Sequence, residues 1–203
     1  MRNRRKSVRR SGQKVTKLTH ATSRNRPVGI LSGIFLEMRS RLWRGGQIVT
    51  MDGVVHEVGK WDLLIAHPPC THLAVSGMRW FKEGKKPLSL KYEAAAFFMK
   101  FIEADIPHIA VENPVSVMST LYKKPDQIIN PWQFGHPEQK KTCLWLKGLP
   151  TLKETDNVYK LMMTLPIKQR TRIWQMGSGH AKERSKTFPG IAKAMAEQWG
   201  EFE

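Results

Sequence analysis

Cys70 and Glu112 have side chains suited to covalent chemistry. Cys70 follows a double proline in "WDLLIAHPPCTHL", and Glu112 lies in "HIAVENP". A cysteine thiolate is a strong nucleophile once its pKa is lowered, and a nearby carboxylic acid protonates or orients the group that the sulfur attacks. The pair therefore indicates nucleophilic catalysis. The plainer alternative is a small buried thiol and an unrelated carboxylate at a strand end.

The pattern around the two residues predicts that they meet at one edge of a sheet. The apolar run at 61–66 is typical of a strand buried on both faces, and 108–111 is a second such run. Residues 90–104 between them have the composition of a helix, with Ser89 as the expected N-cap. A strand–helix–strand unit makes the strands parallel, as direct neighbours or one strand apart. Ligands of α/β sheets bind at the carboxyl ends of strands.

The remaining segments extend this α/β prediction. Two β-rich runs around Asp52-Gly53 predict a hairpin, and residues 142–146 predict another strand. A closing helix is expected from Pro189 to Gly200. We therefore predict one α/β domain over residues 29–203, with a mostly parallel sheet and flanking helices.

The charge of the chain predicts a polyanionic partner. Lys and Arg number 34 against 17 Asp and Glu, which gives a net charge of +17 and a pI near 10.2. Nucleic acid is the expected partner. Residues 1–28 are basic and almost without apolar side chains, so they are predicted to form a disordered arm that adds sequence-independent affinity for phosphates.

Cysteine content and hydropathy suggest a cytoplasmic protein without a membrane partner. The two cysteines, Cys70 and Cys143, do not form a disulfide framework, so free thiols in a reducing compartment are expected. No apolar run approaches the length that spans a bilayer.

A metal site is a weaker alternative for the same segment. His67, Cys70 and His72 offer nitrogen and sulfur ligands, and His136 or Cys143 is available as a fourth. Their spacing matches none of the usual paired-ligand patterns, and no second cysteine follows the first as a zinc deaminase would require. We therefore predict no metal.

Basic and aromatic residues recur together in the predicted loops at 77–86, 168–174 and 180–186. Such segments suit phosphate contacts combined with base stacking, although runs of charge are often only solvated surfaces. The sequence contains neither G-x-x-x-x-G-K-[ST] nor G-x-G-x-x-G, the two glycine-rich phosphate-binding motifs. An enzyme that uses a nucleoside triphosphate is therefore not expected.

The ordered motifs of residues 60–200 resemble the cytosine-C5 DNA methyltransferases, in particular their short phage-encoded relatives. The resemblance rests on "DLLIAHPPC", "VENP", "QRTRIW" and the final "RSKTFPGIAKAMAEQWG". It implies a partial Rossmann-like fold of the S-adenosylmethionine-dependent type and a DNA-modifying enzyme in a bacterial or phage-infected cell. Cys70 would match the nucleophile that adds to C6 of a flipped cytosine, with S-adenosylmethionine as methyl donor, and Glu112 would match the acid that contacts N3.

The resemblance also implies roles for residues around this pair. Pro69 would match the residue that shapes the cysteine turn, and Asn113 the residue that supports that loop. "QRTRIW" is similar to an Arg-bearing strand motif of the family, which makes Arg172 and Arg170 candidates for holding the base or the active-site loop.

The front of the chain departs from the family pattern. "ILSGIFLEM" keeps Gly33 of the glycine-rich cofactor loop but not its second glycine, and few residues lie between Gly33 and Cys70. The cofactor-binding residues are therefore not identified. Either the cofactor site is built differently, a partner supplies it, or the chain is an inactive relative. An inactive, basic nucleic-acid-binding protein and a different modification of pyrimidine C5 are the alternative functions.

Overall fold

Seven strands and eight helices are seen in the computed structural model, which describes residues 29–32, 46–49, 55–58 and 61–200, with side chains in the last range. The predicted arm 1–28 lies outside the described residues. The strands are β1 Gly29–Ser32, β2 Gly46–Val49, β3 Val55–Val58, β4 Leu63–His67, β5 His108–Pro114, β6 Gln127–Ile129 and β7 Thr142–Lys147. The helices are α1 Arg79–Lys82, α2 Leu88–Ile102, α3 Met118–Leu121, α4 Tyr159–Thr164, α5 Ile167–Arg170, α6 Arg172–Gln175, α7 Ala181–Arg184 and α8 Pro189–Trp199.

The strands of the main sheet lie in the order β1-β4-β5-β7-β6. Within residues 61–200 the sheet has four strands, and β4 and β5 are its one parallel pair. The strand β1, which precedes that range, pairs with β4 at the edge of the sheet and adds a second parallel pair. β7 runs antiparallel to both β5 and β6. The α/β class is confirmed, but the prediction of a mostly parallel sheet was wrong, because β7 is inserted in the reverse direction between β5 and β6.

The predicted strand–helix–strand unit is confirmed, and its two strands are direct neighbours with Ala66 opposite Val111. β5 extends beyond the predicted 108–111 to Pro114, because β7 pairs with it along that whole length. The helix occupies 88–102 rather than 90–104. Ser89 lies inside it and is not its N-cap, since the extended residue Pro87 precedes the first turn.

Other predicted elements are also found. β2 and β3 pair antiparallel as the hairpin requires, and its predicted Asp52-Gly53 turn lies outside the described residues. β7 covers the predicted strand 142–146, and α8 begins at Pro189 and is followed by Gly200. No helix in the described part of the chain is long and apolar enough to cross a membrane.

Helices cover both faces of the sheet because side chains alternate along its strands. On one face, Leu64, Ala66, Ile109 and Val111 pack with α2, whose Phe98 is fully buried. On the other face, an apolar cluster joins the sheet to α8; it contains Leu63, Ile65, Ala110, Leu144, Ile191, Met195 and Trp199. The same alternation places Glu112 on the α8 face and Asn113 on the α2 face.

α8 packs closely against the rest of the molecule at its first turn. A Cβ atom at Gly190 would overlap the carbonyl oxygen of Phe134. The Gly190 N–H also donates to Nε2 of His136 at 2.9 Å. A side chain larger than hydrogen therefore does not fit at position 190. The close contact holds the start of α8 beside the sheet edge that carries Glu112.

Candidate active site

The parallel pairing of β4 and β5 places His67 level with Glu112. His67 Nδ1 donates a hydrogen bond to Glu112 Oε2 over 2.6 Å, and both side chains are largely buried. Short contacts between an imidazole N–H and a carboxylate are among the stronger hydrogen bonds in proteins. One oxygen of Glu112 is thus held by His67, and the carboxylate has a fixed orientation.

Asn113 holds the cysteine turn from the opposite face of the sheet. Its Nδ2 donates to the carbonyl oxygen of Pro68 at 2.9 Å, and the side chain is almost completely buried. The Cys70 carbonyl then accepts from the N–H groups of Leu73 and Ala74 at 3.0 and 2.8 Å. The double proline therefore ends β4, and a tight turn begins at the thiol.

The loops that follow the two motifs are also bonded to each other. The Val75 N–H donates to Val115 O at 3.1 Å, and the Val117 N–H donates to Leu73 O at 2.9 Å. Between these bonds, Ala74 and Ser116 form an isolated antiparallel bridge. The loops after Cys70 and after Glu112 therefore form one unit, which fixes the spacing of the two side chains.

Burial and one negative charge raise the pKa of the Cys70 thiol, and nearby positive charges oppose them. Burial raises the pKa of Cys70, and the negative charge of Glu112 raises it further, while Arg184 and Lys140 lower it in part. Cys70 is a partly exposed free thiol. It is therefore protonated at neutral pH in the free protein, and it needs a proton acceptor before it can attack.

Glu112 is the candidate for this proton acceptor, because its negative charge acts on Cys70. Its burial alone would raise the pKa of the carboxyl, but the hydrogen bond and charge of His67, together with Lys140, hold the pKa below its ordinary value. Glu112 is consequently ionised at neutral pH. Because the pKa of Glu112 is lowered while that of Cys70 is raised, the carboxylate can take the thiol proton only as the sulfur forms its bond to a substrate.

A small cavity lies beside Glu112, between the start of β7 and the start of α8. It has room for little more than a water molecule, and it is lined by Glu112, Lys140, Thr142, Thr187, Phe188, Ile191 and Met195. Lys140 Nζ donates to the carbonyl oxygens of Arg184 and Lys186 at 3.0 and 3.4 Å. The lysine thus ties the 184–186 loop to β7 and keeps a positive charge near both reactive groups.

The predicted site residues fall into two groups. The structure brings Cys70, Glu112 and Asn113 together, with Pro69 exposed in the same turn. Arg170 and Arg172 lie farther along the surface.

The prediction of a loop at 168–174 was wrong, since these residues form α5 and α6, and "QRTRIW" therefore does not adopt the strand of the family motif that it resembles. Arg172 Nη2 pairs with Glu138 Oε1 at 3.0 Å, and the Arg170 carbonyl accepts from the Gln139 N–H at 2.7 Å. Both arginines therefore contact the segment that leads to Lys140, and the described contacts do not connect them directly to Cys70 or Glu112.

Sequence reasoning missed three residues of this site. The sequence pattern indicates His67 only as a possible metal ligand. Its position at the end of an apolar run, level with the strand end that carries the reactive residues, was the available signal for a role at the site. Lys140 and Arg184 gave no local signal, because they reach the site only through the placement of β7 and of the segment before α8.

The zinc alternative is not supported by the geometry. Among residues 61–200, no three side chains of His, Cys, Asp or Glu lie close enough to hold a metal ion. His67 is engaged with Glu112, and His136 accepts the N–H of Gly190.

Removing the Asn113 amide is expected to destabilise the fold. Asn113→Ala leaves the buried Pro68 carbonyl without its donor, which costs about 1–3 kcal/mol. At about 2–4 °C per kcal/mol for a chain of this size, thermal unfolding should show the Tm lowered by several degrees. The matched control is Gln169→Ala at an exposed position, which should leave the Tm nearly unchanged. Equal Tm values for the two variants would contradict a tethering role for Asn113.

No family model matches this chain, and no curated protein is significantly similar to it.

Proposed function

We propose that this protein is a DNA cytosine-C5 methyltransferase in which Cys70 adds to C6 of a cytosine. The observation that carries the proposal is the placement of Cys70 and the His67-bonded Glu112 at one edge of the sheet, on adjacent parallel strands. A nucleophile with a fixed carboxylate beside it suits addition to an electron-poor pyrimidine ring. The order and functional types of the motifs, which resemble that family, add to this support.

The first chemical step uses only groups of this chain. The Cys70 thiol gives its proton to Glu112, and the sulfur forms a bond to C6 of the base. The electron pair of the C5=C6 double bond moves through C4 to N3, which takes up a proton from Glu112. One proton leaves the sulfur and one reaches N3, so the step balances and leaves C5 electron-rich. His67 holds one oxygen of this carboxylate in place.

The described residues do not by themselves fit S-adenosylmethionine. The cavity beside Glu112 is far smaller than the several hundred Å³ that a ligand of this size occupies. β1 offers a second place, because its last residue, Ser32, pairs with His67 at the same edge of the sheet. Gly33 follows directly in the sequence. We infer that the methyl donor would bind at this end of β1.

The arrangement of the sheet supports a partial Rossmann-like fold. The strands β1, β4 and β5 are parallel and adjacent, as neighbouring strands are in doubly wound nucleotide-binding sheets. Helices lie on both faces, as in those sheets. The reversed β7 is the departure from a uniformly parallel sheet.

A different C5 modification is the second candidate, and the missing second glycine of the cofactor loop favours it. Such an enzyme would use the same addition of Cys70 to C6 but a different one-carbon donor. The third candidate, an inactive DNA-binding protein, would form no bond between sulfur and base.

One experiment separates the three candidates. The protein is incubated with duplex DNA that contains 5-fluorocytosine, with and without S-adenosylmethionine, and adducts are detected by intact mass. An adduct that requires S-adenosylmethionine supports methyl transfer. An adduct that forms equally well without it supports the second candidate, and no adduct under either condition contradicts both enzymatic functions. Duplex DNA with ordinary cytosine is the matched control.

A further inference from the structure

Exposed apolar side chains cluster on the short helices α4 to α6. Five large apolar residues there are between 45% and 64% exposed, with Ile167 and Trp174 the most exposed of them. The others are Tyr159, Leu161 and Met163. Apolar groups left in water at this density mark an interaction site more often than a solvated surface.

The same segment carries only positive charge. Residues 158–176 contain four basic residues and no acidic residue. Lys160 and Lys168 are exposed, and no salt bridge involves either of them in the described part of the chain. We call the exposed side chains of α4, α5 and α6 the α4–α6 surface. Its charge is complementary to a polyanion, and its tryptophan offers a face on which a base can stack.

The helices of the α4–α6 surface are bonded to one another. Arg170 Nη1 contacts Met163 Sδ at 3.0 Å, which joins α5 to α4. Gln175 Nε2 donates to Lys168 O at 3.1 Å and to Thr171 Oγ1 at 2.7 Å, which joins the end of α6 to α5. The exposed residues therefore belong to one folded unit.

This surface is connected to the candidate active site through residues 138–140. Arg172 pairs with Glu138, and the Gln139 N–H donates to Arg170 O. Lys140 follows directly and lines the cavity beside Glu112. A polyanion lying on α4–α6 would thus pass close to the edge that carries Cys70.

We propose that the α4–α6 surface is the docking site for duplex DNA, with Lys160 and Lys168 on phosphates and Trp174 stacked on the base left unpaired when the target cytosine flips out. This inference rests on the proposed function for the identity of the polyanion, and it identifies the part of the chain that holds the DNA.

The test is equilibrium binding of a fluorescent DNA duplex to the full chain by anisotropy, over a series of salt concentrations. Trp174→Ala should weaken binding by roughly 5- to 150-fold, the range for loss of one stacked base. Lys160→Gln combined with Lys168→Gln should lower the slope of log K against log salt by about 1–2. Matched controls on α2 are Tyr92→Ala and Lys91→Gln with Lys100→Gln, which should leave affinity and slope nearly unchanged.

Three other outcomes of the binding experiment would contradict the proposal. Unchanged affinity and slope in the α4–α6 variants would overturn it, as would equal losses in the α2 controls. If the variants bind duplex DNA normally but lose binding to vesicles of phosphatidylserine and phosphatidylcholine, or to an RNA hairpin, the surface serves another partner. Binding is measured without any methyl donor, so it can succeed even where the 5-fluorocytosine experiment yields no adduct, and it can fail where that experiment succeeds.

Discussion

Replacement of Cys70 by serine is expected to reduce methyl transfer to below detection, by about six orders of magnitude if the sulfur is the nucleophile. A serine hydroxyl does not ionise in this environment, so no bond to C6 forms. The measurement is transfer of a labelled methyl group to duplex DNA, with anisotropy to show that the variant still binds DNA normally.

Cys143→Ala is the matched control for Cys70. The Cys143 side chain is buried on the α2 face, and burial followed by the charge of Glu112 raises its pKa to about 11. Its thiol is therefore unreactive at neutral pH, and the variant should keep methyl transfer. A Cys70→Ser protein that still transfers methyl groups at the normal rate would rule out the addition mechanism.

Glu112→Gln is expected to change two measured rates in opposite directions. Methyl transfer should fall by about 10²–10⁴-fold, because the amide neither accepts the thiol proton nor supplies one to N3. Alkylation of Cys70 by iodoacetamide at pH 8 should become faster, since removing the negative charge lowers the pKa of the thiol. Mass spectrometry of the Cys70 peptide over time gives the alkylation rate.

The pH dependence of this alkylation follows from the same shift. Because burial and Glu112 raise the pKa of Cys70, the thiolate accumulates only as the pH rises through a value above that of an ordinary thiol, about 8.5. In Glu112→Gln the midpoint should move to lower pH. Glu138→Gln, which breaks only the ion pair with Arg172, serves as the control and should leave the midpoint in place. A midpoint that does not move in Glu112→Gln would show that the carboxylate lies too far from the sulfur to act on its proton.

The meeting of Cys70 and Glu112 could be predicted from the sequence because each motif is joined to an apolar run with a clear strand pattern. Parallel strands joined through a helix bring their carboxyl ends to one edge, whatever the rest of the sheet does. The positions of β4, β5, α2 and α8 followed from the same local patterns.

The direction and neighbours of β7 could not be predicted, because an apolar run is the same whether its strand runs parallel or antiparallel. The strand β6 could not be predicted either, because it is too short to show an alternation of apolar and polar side chains. The short helices at 167–175 replaced a predicted loop, because their dense basic residues were read as a loop pattern and each helix is too short to show a helical period. The bond between His67 and Glu112 depends on register, which is set by packing of the whole sheet.

Glu112 and Asn113 are adjacent in sequence but belong to opposite sides of the molecule. One faces the thiol and α8, and the other anchors the proline turn on the side of α2. Deletion of one residue from β5 before Glu112 would shift its register by one, leaving the Asn113 amide on the thiol side and the Glu112 carboxylate buried beneath α2. During evolution, β5 can therefore accept changes of side chain far more readily than a change in its length.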